Sequence, residues 1–186
     1  MAADRRSAVG DRALIDAGTA IDRLTRVQPD FPVPGVLFRD LTPVLADAAG
    51  LRSVGAALVR GFPEFDVVAG LESRGFLLAT AAAMTVGTGV LAIRKPGKLP
   101  GALLREEYSL EYGTARLELN PDDVAPGTRV LVVDDVLATG GTAAAACRLL
   151  SRAGAEMTGV AVAIELSALG GRAQLPGIRV STIRAY

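Results

Sequence analysis

Histidine and tryptophan are absent from the 186 residues, and cysteine occurs once, as Cys147. Without imidazole there is no Ser-His-Asp or Cys-His nucleophile system and no His-ligated zinc. One thiol closes no internal disulfide and builds no cysteine-rich metal site, so a reducing compartment, the cytoplasm, is expected. Aromatics make up 4% of the chain while alanine supplies 32 residues, so the core must be aliphatic. Neither charge is in excess: Lys+Arg and Asp+Glu are 20 each. That balance gives no electrostatic case for nucleic acid or anionic lipid as a partner. The first eighteen residues are charged and lack an apolar h-region, so no targeting segment is expected. Chemistry is left to carboxylates, hydroxyls, cations and backbone groups.

What is present is enough for one domain with one aliphatic core, since half the residues are apolar. Residues 13–26 carry apolar side chains at helical spacing and read as an amphipathic helix. The stretch 28–35 holds three prolines and a glycine, so it is extended and turning. Residues 50–61 read as helix. Strands are expected at 66–70, 89–93, 129–135, 157–164 and 178–183, with helices at 75–86 and 140–154. Gly154 suits the position just past the last of these. Strands alternating with helices imply an α/β fold, a doubly wound parallel sheet. Gly75 to Ile93 is uncharged for 19 residues. Gly87 and Gly89 divide it, so it reads as helix, turn and strand rather than as a membrane span. Residues 95–120 break the rhythm, and their alternating patches suit a two-stranded excursion of the kind that covers a site.

The sharpest chemical signal is Val130 to Thr142, VLVVDDVLATGGT. A buried strand is expected to end in Asp134 and Asp135, and Gly140-Gly141-Thr142 to open a helix. Ligands of doubly wound sheets bind beyond the carboxyl ends of the strands. Adjacent carboxylates there accept hydrogen bonds from neighbouring sugar hydroxyls. The helix N-terminus offers free N–H groups to a phosphate, glycines permit close approach, and Thr139 and Thr142 add hydroxyl donors. A phosphorylated sugar fits. The plain alternative is that Asp135 and Thr139 only shape and cap a strand-to-helix turn. Arg74 follows another strand in the same manner. Arg94, Lys95 and Lys98 form a cationic cluster that holds both lysines of the chain.

VLVVDDVLATGGT resembles the phosphoribosyl pyrophosphate (PRPP) signature of the type I phosphoribosyltransferases. DFPVPGVLFRDLTPVLAD (30–47), GLESRGFLLA (70–79), RKPGKLPG (94–101), EEYSLEYGTARLELN (106–120) and AIELSALGGR (163–172) resemble the adenine phosphoribosyltransferase family, in the same order. The resemblance implies a core at about 50–186, a small N-terminal hood at about 1–48 and a flexible lid at about 95–120. It implies transfer from PRPP to adenine, giving AMP and pyrophosphate. Magnesium would be the cofactor, held through PRPP and water rather than by protein ligands. A homodimer is implied as well.

The same resemblance distributes the roles. Ala138, Thr139, Gly140, Gly141 and Thr142 would hold the 5′-phosphate, and Asp134 and Asp135 the ribose. Ser73, Arg74, Arg94, Lys95 and Lys98 would hold pyrophosphate, with a cis peptide at Glu72-Ser73. The backbone of Leu37 and Arg39 would read the adenine edge, with Phe38 and Leu166 on its faces. Glu111 would donate to N7 of the base and so favour reaction through N9. Arg74, Lys98 and Glu111 would be the catalytic groups. Without the resemblance, Glu111 is one glutamate among several, Phe38 is a core aromatic and the basic triplet is a solvated charge run.

Other motifs fail on context. Gly87 to Ala92 matches a dinucleotide fingerprint but follows a helix and opens a strand. Gly97-Lys98 is followed by Leu99, which is no Walker sequence, and GLESRG is not GxSxG. Two further functions remain open on the same fold. One is a 6-oxopurine phosphoribosyltransferase. The other is a non-catalytic PRPP or nucleotide sensor.

Overall fold

The computed structural model describes residues 16–109 and 113–186. Five parallel strands form the central sheet: β3 (Val67–Leu71), β4 (Gly89–Ile93), β7 (Arg129–Leu137), β8 (Glu156–Glu165) and β9 (Val180–Ala185). Their order is β4-β3-β7-β8-β9. The crossover from β3 to β4 uses α4 (Arg74–Val86), and that from β7 to β8 uses α5 (Gly141–Arg152). The first connection moves one way across the sheet and the second the other way. Crossovers of one hand then put α4 and α5 on opposite faces.

Strand periodicity agrees. In β7, Leu131 and Val133 face the cluster containing Leu78, Ala79 and Ala82 of α4. Val130 and Val132 face the cluster containing Ala145, Leu149 and Leu150 of α5. All four of these β7 residues have no exposed surface. Fully burying side chains of this size stabilises the fold by about 2 kcal/mol each.

The α4 face also receives a helix at 16–24, α1, through Ala17 and Ile21. Two more helices join it, α2 (Thr42–Ala46) and α3 (Ala48–Leu58). Gly55 lets α3 lie against α4, because a Cβ there would sit 2.8 Å from the Ala81 carbonyl carbon. Two antiparallel hairpins stand outside the sheet: β1 (Arg26–Pro29) with β2 (Leu37–Asp40), and β5 (Leu104–Ser109) with β6 (Thr114–Leu119). The second packs on α5, where Glu106 of β5 meets Arg148 at 2.7 Å and Arg152 at 2.9 Å.

Some expectations shift. The first helix ends at residue 24, because Arg26 already pairs with Asp40 in the hairpin. The expected helix at 50–61 runs instead from Ala48 to Leu58. β7 continues past the two acids to Leu137, since β8 is long enough to pair Val136 with Ile164 and Leu137 with Glu165. Gly154 takes the left-handed conformation past α5, φ +90°, as expected. The uncharged stretch 75–93 lies within α4, a turn and β4, and no helix among the described residues is long and apolar enough to cross a membrane. Its outer side is not buried: Leu77, Met84, Val86 and Val90 are exposed.

Candidate active site

β3 and β7 are neighbours whose connections diverge, so a crevice opens beyond their carboxyl ends, where such folds take ligands. Parallel pairing sends four loops to this one edge: 94–98 after β4, 72–74 after β3, 138–140 after β7 and 166–171 after β8. The segments 70–79, 94–101, 130–142 and 163–172 singled out from the sequence thereby all reach this edge.

Register sets Gly70 of β3 beside Val133 of β7, so the residues that follow each face one another. Arg74 donates from Nε to Oδ2 of Asp135. Its two terminal nitrogens make no hydrogen bond among the described residues. Asp135 is 7% exposed. The backbone N–H of Asp135 donates to Oδ1 of Asp134 at 2.9 Å. Burial, then the neighbouring Asp135 carboxylate, push the Asp134 carboxyl well above the usual aspartate range. Gly75 is needed here, because a Cβ would lie 2.8 Å from Oδ1 of Asp134. The Glu72-Ser73 peptide is cis.

Glu72 organises the cationic loop. Its Oε2 accepts from Nε of Arg94 at 3.0 Å and from the N–H of Lys95 at 2.8 Å. Burial alone would raise its carboxyl, but these bonds and the charges of Arg94 and Lys98 together hold it below the usual glutamate value. Lys95 and Lys98 are exposed. Glu118, which sequence reasoning missed, grips the loop from the other side. Its Oε2 accepts from the N–H of Gly97 at 2.9 Å and its Oε1 from Arg105 at 3.0 Å. It is 3% exposed, although its buried neighbours Leu117 and Leu119 occupy the apolar positions of the strand. Alternation offered no signal for it.

The glycine loop does not carry a side-chain cap. The residue preceding α5 is Gly140, φ +85°, and no side chain bonds the first turn. Neither Asp135 nor Thr139 caps α5, so the capping half of the plain reading does not hold. The loop instead presses against Gly171: a Cβ on Gly140 would collide with the Gly171 carbonyl oxygen. Gly140 is therefore required by the protein's own packing, a reason not visible in the motif. Ala138, Gly141 and Thr142 are half-buried and Thr139 is exposed.

The first hairpin sits against the same edge. The Arg74 guanidinium carbon lies 5.8 Å from the Phe38 ring centroid, and that of Arg39 lies 3.5 Å from the Tyr186 ring centroid. Phe38 joins neither core cluster and meets Phe31 edge-on, centroids 5.1 Å apart. β2 pairs with β1 alone, so one of its edges is unpaired among the described residues. Leu37 and Arg39 share strand parity, so their backbone groups point the same way. Leu166 is half-buried against the α4-side cluster. Glu111 lies outside the described residues, as do residues 1–15.

The geometry assembles two adjacent carboxylates, a paired arginine, a cationic loop, an uncapped helix start and a half-buried aromatic, Phe38, on one rim. Comparison with known proteins agrees. A sequence model of the phosphoribosyl transferase domain matches residues 56–176. Adenine phosphoribosyltransferase of Clavibacter sepedonicus is 58% identical over 182 residues, 96% of this chain and 95% of that protein. That of Renibacterium salmoninarum is 56% identical over 164 residues, 88% of this chain and 90% of the relative. The crystal structure of adenine phosphoribosyltransferase from Rhodothermus marinus superposes with a TM-score of 0.85 at 46% identity, covering 91% of this chain and 98% of that one. The Saccharomyces cerevisiae enzyme, complexed with an imino-altritol bisphosphate and adenine, gives 0.83 at 32% identity, covering 91% and 99%. On fold, site and kinship together, the chain belongs to the adenine phosphoribosyltransferase family of type I phosphoribosyltransferases.

Proposed function

We propose that this chain transfers the phosphoribosyl group of PRPP to N9 of adenine, releasing pyrophosphate and AMP. The observation that carries the reading is the Arg74–Asp135 pair between two neighbouring parallel strands whose connections diverge. It joins a cation for the leaving group to a carboxylate for the sugar.

Each part has work in that reaction. The 138–142 loop and the start of α5 take the 5′-phosphate on backbone N–H groups. Asp134 and Asp135 accept from the ribose hydroxyls. Ser73, the terminal nitrogens of Arg74, and Arg94, Lys95 and Lys98 receive the pyrophosphate, whose negative charge grows as the bond from C1′ to oxygen breaks. Adenine attacks C1′ from the opposite face, the N9–C1′ bond forms as the bond from C1′ to the pyrophosphate oxygen breaks, and the N9 proton passes to the released pyrophosphate or to water. Phe38 and Leu166 cover the faces of the base. The backbone of Leu37 and Arg39 reads its edge, which separates a 6-amino from a 6-oxo purine. Glu111 donates to N7.

The donor set suits magnesium carried by the substrate: Glu72 is already engaged by Arg94 and Lys95, and Asp135 by Arg74. Bound through PRPP and water, the ion supplies charge neutralisation on the pyrophosphate oxygens. Residues 1–48 act as a hood over the base, 50–186 as the core and 95–120 as the lid that excludes water. The lone, buried thiol of Cys147 suits a cytoplasmic enzyme.

Fast, magnesium-dependent AMP formation from adenine and PRPP, with hypoxanthine and guanine inert, is the expected assay result. Turnover of the 6-oxopurines would move the base assignment. Binding of PRPP without turnover of any base would indicate a sensor. In the same assay Glu111→Leu should lower kcat far more than PRPP affinity, whereas an equal fall in both would remove its acid role.

A homodimer is part of the reading. Leu77 and Met84 (78% exposed), seven residues apart on α4 and so on one stripe, give the outer face of that helix an apolar surface. Sedimentation should give twice the chain mass. A monomeric mass at micromolar concentration would end the dimer reading.

A further inference from the structure

We infer that Gly171 and Arg172 are positioning residues for the 138–142 loop, holding its backbone at the depth a 5′-phosphate requires. The inference rests on the proposed role of that loop.

The loop has no side-chain cap to hold it, so packing must do so. Two glycines interlock there. A Cβ on Gly140 would collide with the carbonyl oxygen of Gly171, and a Cβ on Gly171 with that of Ala138. The two backbones thus touch directly, with no adaptable side chain between them. Whatever fixes Gly171 fixes the loop.

What fixes it is the next residue. Arg172 donates from Nε and Nη2 to the two oxygens of Glu165, both at 2.7 Å, and from Nη1 to the Val180 carbonyl at 2.9 Å. Glu165 is 7% exposed. It is also the last residue of β8, paired with Leu137 on one side and Ala185 on the other. A planar guanidinium held at three points cannot pivot. Position therefore passes from the sheet through Glu165 and Arg172 to Gly171, and from there to Gly140 at the start of α5. The pyrophosphate groups on the β3 and β4 loops lie outside this chain of contacts. An arginine that only neutralised Glu165 would have no reason to affect one end of the substrate more than the other.

Calorimetric titration with ribose 5-phosphate and, separately, magnesium pyrophosphate tests this. Arg172→Gln and Gly171→Ala should each weaken ribose 5-phosphate by about tenfold or more. Pyrophosphate affinity should stay within about twofold, a change no larger than a fraction of one hydrogen bond. Arg172→Lys, which keeps the charge but not the fork, should fall between. Unchanged ribose 5-phosphate affinity in folded Gly171→Ala, or equal loss of both probes, overturns the inference. Should Arg172→Gln not fold, Gly171→Ala decides alone, and should neither fold, Arg172→Lys decides. A wild-type protein that binds pyrophosphate but not ribose 5-phosphate removes the loop's phosphate role and this inference with it. One that binds both, with the variants unaffected, leaves the function standing and removes only the inference.

Discussion

Replacing Asp134 and Asp135 together by asparagine should lower AMP formation by roughly a thousandfold or more, with the fold retained. The substitution keeps shape and hydrogen-bonding atoms but removes the charge that receives the ribose hydroxyls and faces the cationic transition state. Wild-type turnover in the double variant would end the ribose role.

The single change Asp134→Asn separates function from stability. The Asp134 carboxyl is pushed above its usual value of 3.8, first by burial and then by the Asp135 charge. The folded state thus holds that proton more tightly than the unfolded chain does, so stability is lost as pH rises above 3.8. Asparagine removes this cost while its oxygen can still accept from the Asp135 N–H. Asp134→Asn should therefore melt above the wild type at neutral pH. The difference should shrink as pH falls toward 3.8 and vanish below it, where both states of the wild type carry the proton. A lower melting temperature at neutral pH would contradict this account. A site that lowers stability for the sake of chemistry is a common compromise.

Arg74→Ala should lower turnover by roughly a thousandfold, by removing a cation aimed at the leaving group. It should also destabilise by about 1–2 kcal/mol, less than a fully buried pair would, because Arg74 is partly exposed and solvent screens it. The loss arises because Asp135 is left buried and charged without a partner. Adding Asp135→Asn neutralises that carboxylate. The double variant should thus regain stability relative to Arg74→Ala while staying inactive. Chemical denaturation of the four proteins of this cycle measures the coupling. Additive effects on stability would mean that the pair does not act as a unit.

The parallel sheet was legible because β7 is apolar at Val130 through Val133, a pattern that only two covered faces explain. The acids at 134–135 and the glycines at 140–141 were legible because their chemistry is local: a strand end and a helix start within nine residues. Glu118 was not, since alternation in β6 predicts an exposed side chain there and the contact that buries it comes from Gly97 and Arg105. Nor was Gly171, whose partner Gly140 lies 31 positions away and carries no side chain to betray the contact. The first hairpin was legible only as a proline-rich turn, because its strands are four residues each and pair only with one another.

By itself, then, the amino-acid sequence determined the class of chemistry. Without histidine and with one cysteine, only carboxylates, hydroxyls, cations and backbone groups were available, and their order along the chain matched one family. Tertiary structure decided which of these groups meet. Arg74 finds Asp135 because β3 and β7 are neighbours whose crossovers diverge, and the cationic loop is clasped by Glu72 and Glu118 from two different elements. Periodicity and local turns are encoded within a few residues. Strand order, and the contacts it brings across sixty positions, exist only once the sheet has assembled.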